Sequence, residues 1–314
     1  MKNIELGSIR DGFGRAMEEL AQENKHVIAL SADLTESLRL TKFAEAHPQQ
    51  FVSLGVAEQN MIGVAAGLAM GGKVPFAASF AVFSPGRTFE QIRQTICYPN
   101  LNVKLVGCHA GLNVGPDGAI HQMLEDIALT RVLPHMKVVA PCDENQAVAA
   151  TKAIARDLGP CYLRLVREQS PIITKPTDKF VLGSAQTLVK GKDVTIVACG
   201  LMVSVALTAA ALLKNQGVMA EVINLHTIKP LDSATLFGSL IKTGCLVTVE
   251  EHQLAGGMGS AILESLLGKH SVPTEIMAVK DSFGESGRAQ ELLNKHLLTA
   301  KEIVKASKRV IAKK

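Results

Sequence analysis

Along the chain, short, mainly apolar runs alternate with longer stretches in which apolar residues recur at helical spacing. The runs at 27–31, 51–54, 74–79, 103–108, 138–140 and 161–165 are too short for helices and rich in the residues of buried strands. Between them the period changes. Phe13, Met17, Leu20 and Ala21 share one face of a helix expected over 9–24, and further helices are expected over 41–46, 85–97, 123–132 and 145–156. A stretch carrying Pro171 and Pro176 breaks the pattern. The alternation then resumes, with strands at 194–199, 220–225, 245–250 and 274–279 and helices over 203–215 and 233–241. Thr299 fits the cap of a last helix. Apolar strands alternating with helices predict parallel sheets covered on both faces. The expected fold is α/β, with two consecutive open, mostly parallel β-sheets flanked by helices. A first domain is expected over 1–170, a linker over 171–188 and a second domain over 189–314.

The stretch 54–83 stands out. It reads as a glycine turn, a helix and a strand that ends in Phe80 and Phe83. From Met61 to Met70 every residue is apolar or glycine, so the helix is expected to be packed on all sides. Glu58 at its start is either an acid favoured by the helix dipole or a carboxyl that shares a proton with a ligand. In parallel sheets ligands gather beyond the carboxyl ends of the strands. Asp33, Glu58, Phe83, His109, Asp117, His121 and Arg167 all follow expected strands. Phe80 and Phe83, three apart, face opposite sides of an ideal strand, so either one is core or the strand ends before Phe83. His109, Asp117 and His121 share one turn-rich segment, but their spacing matches no common zinc pattern and no metal ligand is assigned. Asp117-Gly118 fits a turn, and His121 at the entrance of the helix over 123–132 is placed to act as acid or base. Gly256-Gly-Met-Gly259 resembles a phosphate-binding turn without the dinucleotide spacing; tight backbone packing is the simpler account.

Composition narrows the classes. The 314 residues suffice for two domains, and 47% hydrophobic against 20% charged residues supports real cores. The net charge of +4 is spread along the chain, and with two Tyr and no Trp no nucleic-acid partner is expected. The six cysteines form no Cys-x-x-Cys pair and read as buried hydrophobes of a reducing compartment. No apolar run reaches membrane-spanning length. A cytoplasmic protein with no membrane partner is therefore expected.

Four segments in order resemble transketolase: Gly55-Val-Ala-Glu58, Ser79-Phe-Ala-Val-Phe83, Arg87-x-x-Glu-Gln-Ile-Arg93 and Gly115-x-Asp-Gly-x-x-His-Gln122. The resemblance spans the chain but matches only the pyrimidine-binding and C-terminal domains of that family. The domain that holds the diphosphate and its Mg²⁺ is not matched. The chain thus resembles the C-terminal subunit of a split transketolase, which moves a two-carbon ketol unit from a ketose phosphate to an aldose phosphate. The resemblance implies thiamine diphosphate bound between subunits, with Glu58 protonating N1′ of the aminopyrimidine. Phe80 and Phe83 would enclose that ring and Asp33 would lie near the cofactor; Gly86 stands where a third aromatic is usual. Asp117 would read a sugar hydroxyl and His121 the carbonyl end, where it would be catalytic. Arg10, Ser37, His109 and Arg167 would hold the sugar phosphate. Mg²⁺ is expected mainly on a partner, the N-terminal transketolase subunit, with this chain as a homodimer inside an α2β2 assembly. Two alternatives remain: a subunit of another thiamine diphosphate enzyme (a deoxyxylulose-phosphate synthase or a 2-oxoacid dehydrogenase β chain), or a non-catalytic subunit that kept the fold. The missing diphosphate anchor predicts that the isolated chain does not bind thiamine diphosphate tightly; micromolar binding in calorimetry would overturn that expectation.

Overall fold

The structure is a computed structural model and describes residues 5–314. In chain order its strands are β1 (Leu6–Gly7), β2 (Val27–Ser31), β3 (Phe51–Ser53), β4 (Val74–Phe80), β5 (Lys104–Cys108), β6 (Lys137–Val139) and β7 (Cys161–Arg164). They continue with β8 (Ser170–Pro171), β9 (Gln186–Val189), β10 (Val194–Ala198), β11 (Ala220–Asn224), β12 (Thr227–Lys229), β13 (Leu246–Gln253) and β14 (Thr274–Val279). The first sheet has the order β12-β6-β7-β5-β4-β2-β3 and the second β14-β13-β10-β11-β9. Every pairing is parallel except β12 on β6, β9 on β11 and the small β1–β8 pair. Among the described residues no helix is long and apolar enough to cross a membrane.

The sheets form where the sequence places fully buried runs. All five residues of β2, β5, β10 and β11 are buried. Gly107 in mid-β5 has a packing cause: a Cβ there would lie 2.1 Å from the Tyr162 hydroxyl, whose ring crosses over from β7. That hydroxyl donates to Asp126 Oδ2 at 2.8 Å. The helix Ile9–Glu23 is capped by Ser8, which accepts from the Asp11 amide, and it packs on the helix Glu144–Arg156. Asp143 caps that second helix and also accepts from the amides of Ile173 (2.6 Å) and Thr174 (2.5 Å), so one carboxylate anchors the start of the inter-sheet segment. Thr299 caps Ala300–Ile311 as its sequence position predicts.

Several elements depart from the sequence expectation. The expected helix over 85–97 begins instead as a kinked turn, Val82–Arg87, because Ser84 is extended (φ −139°, ψ 108°); regular helix starts only at Phe89. The expected helix over 123–132 is confined to Asp126–Arg131, since Met123 is drawn into a bridge with Ala110. His121 therefore lies in a turn and not at a helix entrance. The helix Glu58–Met70 is not packed on all sides within this chain. Met61, Ile62, Ala65 and Ala66 are buried, but Gly63, Gly67 and Met70 are exposed, and a Cβ on either glycine would meet nothing within 4 Å. The short strands β1, β8, β9 and β12 and the helix Ala289–Lys295 have no periodic signature in the sequence.

β12 carries a strand of the second half into the first sheet. His226, just before it, is buried, with its ring 4.3 Å from that of Phe180 in the inter-sheet segment. Burial pushes its imidazole down to about 4. The folded chain thus refuses a proton that the unfolded chain accepts near pH 6.5, so this stability is present above pH 6.5 and is lost as pH falls towards 4. The slope approaches about 1.4 kcal/mol per pH unit. Urea unfolding between pH 7 and 4.5 should show a shallower decline in His226→Gln than in the parent chain; parallel declines would remove His226 from the pH response.

Candidate active site

The carboxyl ends of β2, β4, β5 and β7 converge, and the helix following β3 brings Glu58 to the same edge. Glu58 is 3% exposed, and its Oε2 accepts from Arg87 Nη1 at 2.9 Å. Its setting is therefore not purely apolar: a cation already meets the carboxylate. The Arg87 guanidinium also lies 4.7 Å from the centre of the Phe83 ring, over its face. Strand β4 ends at Phe80, so Phe83 is released from strand alternation and stacks on Phe80, with ring centres 6.0 Å apart and planes at 13°. His121 sits edge-on to both phenylalanines, at 6.2 Å and 5.8 Å, and its Nδ1 is buried without a partner. Met123 lies beside Gly86, its Cε 3.6 Å from where a Cβ would stand.

His109 completes the wall, with its ring 3.8 Å from that of Phe80 and its backbone left-handed (φ 55°). Burial, reinforced by Arg10 and Arg167, pushes its imidazole down to about 3, so the ring is neutral at physiological pH. It can meet an anion by donating a hydrogen bond but adds no charge. Arg10 Nη1 donates to the Ser37 carbonyl (3.0 Å) and Nη2 to the Arg167 carbonyl (2.9 Å). Its guanidinium thus ties three of the four expected phosphate ligands together, while its Nε is buried and unpartnered. Burial lowers its pKa from the ordinary value. Arg167 Nη1 donates to the Val114 carbonyl (2.5 Å) and to Asp117 Oδ1 (3.2 Å). Asp33 is exposed and left-handed (φ 61°), two residues past β2, and its side chain takes no part in these contacts.

Sequence reasoning missed the residues that hold this edge together. Asn113 is buried; its amide N–H donates to Glu251 Oε1 (3.0 Å) and its Nδ2 to Glu251 Oε2 (3.2 Å). Its Oδ1 accepts from the Arg167 amide (2.8 Å) and the Glu168 amide (3.3 Å). Glu251 comes from β13, so the second sheet sets the backbone that carries Arg167. Burial raises the pKa of that carboxyl. Gln122 donates to the carbonyls of Gly115 (3.1 Å) and Glu285 (2.9 Å), pinning the Asp117 segment to the second half. Arg164 pairs with Asp126 (2.7 Å) and donates to the Glu251 carbonyl (2.8 Å). The one signal in the sequence is Glu250-Glu251-His252, three polar residues at the end of an apolar strand. The Gly256–Gly259 turn is filled from within: Glu250 accepts from the amides of Met258 (2.6 Å) and Gly259 (2.8 Å), and a Cβ at Gly257 would meet Glu250 Oε2 at 2.4 Å. Among the described residues, no cluster of three or more His, Cys, Asp or Glu side chains is arranged to hold a metal.

Two family models match the chain: the transketolase pyrimidine-binding domain over residues 7–172 and the transketolase C-terminal domain over 183–303. The 6-deoxy-6-sulfo-D-fructose transketolase subunit of Clostridium sp. (strain MSTE9) is 42% identical over 98% of this chain and 95% of its own length. One of the subunits of the apulose-4-phosphate transketolase of Phocaeicola vulgatus is 35% identical over 97% of each chain. A solved structure described as a split gene transketolase, inactive β4 tetramer, superposes with a TM-score of 0.92 at 45% identity, covering 98% of this chain and 99% of that one.

The geometry of Asn113 yields a test that needs no ligand. Asn113→Ala strands the amides of Arg167 and Glu168 and removes the Nδ2 donor to Glu251 Oε2 while keeping the backbone bond to Oε1, and should cost about 1–3 kcal/mol in urea unfolding. Hydrogen exchange at residues 167 and 168 should speed up well before global unfolding. Unchanged protection there would mean that Asn113 does not hold that backbone.

Proposed function

Because the chain belongs to the transketolase family, and is a split transketolase-like subunit within that thiamine diphosphate-dependent group, we propose that it is the C-terminal subunit of a two-chain transketolase. It moves a two-carbon ketol unit from a ketose phosphate to an aldose phosphate. The observation that carries this reading is the seat formed by buried Glu58, the stacked Phe80 and Phe83, and the unpartnered Nδ1 of His121. Glu58, Phe80 and Phe83 suit an aminopyrimidine: an acid that would meet a ring nitrogen and aromatic side chains that would cover the ring, with the orphaned His121 Nδ1 left for a group bound beside it. Glu58, Phe80 and Phe83 would hold the ring of thiamine diphosphate.

When bound, that cofactor supplies the carbanion-stabilising chemistry of ketol transfer. The chain's own residues do the rest. Glu58 holds a proton at N1′ of the aminopyrimidine, and Phe80 and Phe83 exclude water from that hydrogen bond. His121 faces the same aromatic wall and exchanges a proton at the substrate carbonyl oxygen. Asp117 accepts a hydrogen bond from the neighbouring sugar hydroxyl while Arg167 steadies its carboxylate. Arg167, neutral His109 and Ser37 meet the phosphate, with Arg10 bracing the carbonyls of Ser37 and Arg167. Asp33, the least connected of the expected residues, lies on the cofactor side.

An anionic sugar as substrate is supported by the names of the two relatives, one a sulfo sugar and the other a sugar phosphate. The partner is an N-terminal subunit that supplies the diphosphate anchor and most of the Mg²⁺ coordination. Copies of this chain associate through the exposed face of Gly63, Gly67 and Met70, giving a homodimer inside an α2β2 enzyme. The similar split-gene chain, described as an inactive β4 tetramer, supports both self-association and dependence on a partner. Six free, buried cysteines are consistent with work in the cytoplasm.

The test is a coupled assay with both subunits, thiamine diphosphate, Mg²⁺, xylulose 5-phosphate and ribose 5-phosphate. Transfer should require both chains, and Glu58→Gln should fold normally yet lose at least about a thousandfold in kcat, as loss of an essential proton-holding group does. Near-normal turnover by Glu58→Gln would remove Glu58 from the chemistry. Turnover of a sulfonated sugar but not of the phosphates would keep the cofactor chemistry and replace the substrate.

A further inference from the structure

We propose that Arg87 is an internal stand-in for the cofactor's pyrimidine ring, occupying the seat between Glu58 and Phe83 and leaving it when thiamine diphosphate binds. The proposal rests on the reading of Glu58 and Phe83 as the pyrimidine seat. Arg87 makes both contacts such a ring requires. Its Nη1 donates to Glu58 Oε2 at 2.9 Å, and its guanidinium carbon lies over the Phe83 ring at 4.7 Å. A guanidinium is planar, delocalised and cationic, with N–H groups in its plane and an open π face. A pyrimidine protonated at N1′ has those same properties. One site therefore accepts either group, and they exclude each other over the Phe83 face.

The surroundings are asymmetric in a way that favours exchange. The Glu58 side chain is 3% exposed, whereas that of Arg87 is 49% exposed. Arg87 can swing into water at little loss, but Glu58 cannot be left alone in its buried position. Whatever displaces Arg87 must restore a donor to the carboxylate, which an apolar intruder does not. The bond uses a single guanidinium nitrogen and a single carboxylate oxygen, short of the paired fork that makes such links hard to open. Arg87 is also the last residue of the kinked turn Val82–Arg87, outside regular helix and on the same turn as Phe83. A plain structural staple between the turn and the helix Glu58–Met70 is the rival account. It differs in one respect: a staple persists with cofactor bound, and a stand-in does not.

A double-mutant cycle separates the two. The parent, Arg87→Met, Glu58→Gln and the double variant are compared by melting temperature as isolated chains, then by calorimetric Kd for thiamine diphosphate in the complex with the N-terminal subunit and Mg²⁺. The isolated chains should show coupling between positions 58 and 87. In the complex, Arg87→Met should bind thiamine diphosphate about tenfold more tightly, because a fraction of the parent chains is blocked at any moment. Arg87→Lys, which keeps the charge and loses the plane, should fall between and serves if Arg87→Met folds poorly. Equal or weaker binding by both Arg87 variants would overturn the stand-in while leaving the proposed function intact. A parent complex that binds no thiamine diphosphate would overturn both.

Discussion

The carboxylate of Glu251 is the contact on which the candidate site depends. It lies near the end of β13, buried, and is met by the amide and side chain of Asn113 from the turn segment that follows β5 of the other sheet. A carboxylate in that position is tolerable only if its oxygens are fully engaged, and Asn113 engages both. Having done so, Asn113 has one oxygen left, and it fixes the amides of Arg167 and Glu168. Arg167 then fixes Asp117, and its carbonyl receives Arg10. A polar chain thus runs from the second sheet through the seam to the residues proposed to read substrate.

A second buried cluster works alongside it. Beneath the site Asp126 Oδ2 accepts from both Tyr162 and Arg164 while Oδ1 has no partner, and Arg164 reaches the Glu251 carbonyl. Buried pairs of this kind add little net stability over apolar packing, but they admit few alternative geometries. At the same edge, Glu250 closes the amides of the Gly256–Gly259 turn. Glu250 and Glu251 are adjacent, where the register of β13 on β14 shifts; one completes a helix start and the other reaches Asn113 in the turn after β5.

The fold was legible wherever local pattern and burial agree. Apolar runs became strands within a residue or so, except β13, which runs three residues past its expected end, and the helices at 9–23 and 144–156 followed their apolar faces. The errors fall where long-range contacts overrule local pattern. Met123 is apolar and suits a helix, but its bridge to Ala110 and the left-handed Gly115 and Gly118 hold that segment in turns. Thr227-Ile-Lys229 forms a strand because β6 offers it an edge, which no local period reveals. Glu58, Phe83, His109 and His121 could be picked out as residues following strands; the structure gathers the last three around Phe80 and ties Glu58 to Phe83 through Arg87. Asn113 and Glu251 could not, because each is explained only by the other, and they are far apart in sequence. The cation on Glu58 was equally hidden, since it depends on where the kink at Ser84 delivers Arg87.

The antiparallel seat of β12 on β6 has a consequence for how such a protein can change over generations. A recombination event in the segment before β9 would separate two sequence domains that look modular. It would also strip the first sheet of its outer strand, expose the β6 backbone and leave β12 without a partner. Asn113 and Glu251 would lose each other in the same event. The heritable module is therefore the pair of sheets, and new specificities are expected to arise by point substitution within the seam and not by exchange of one half for another.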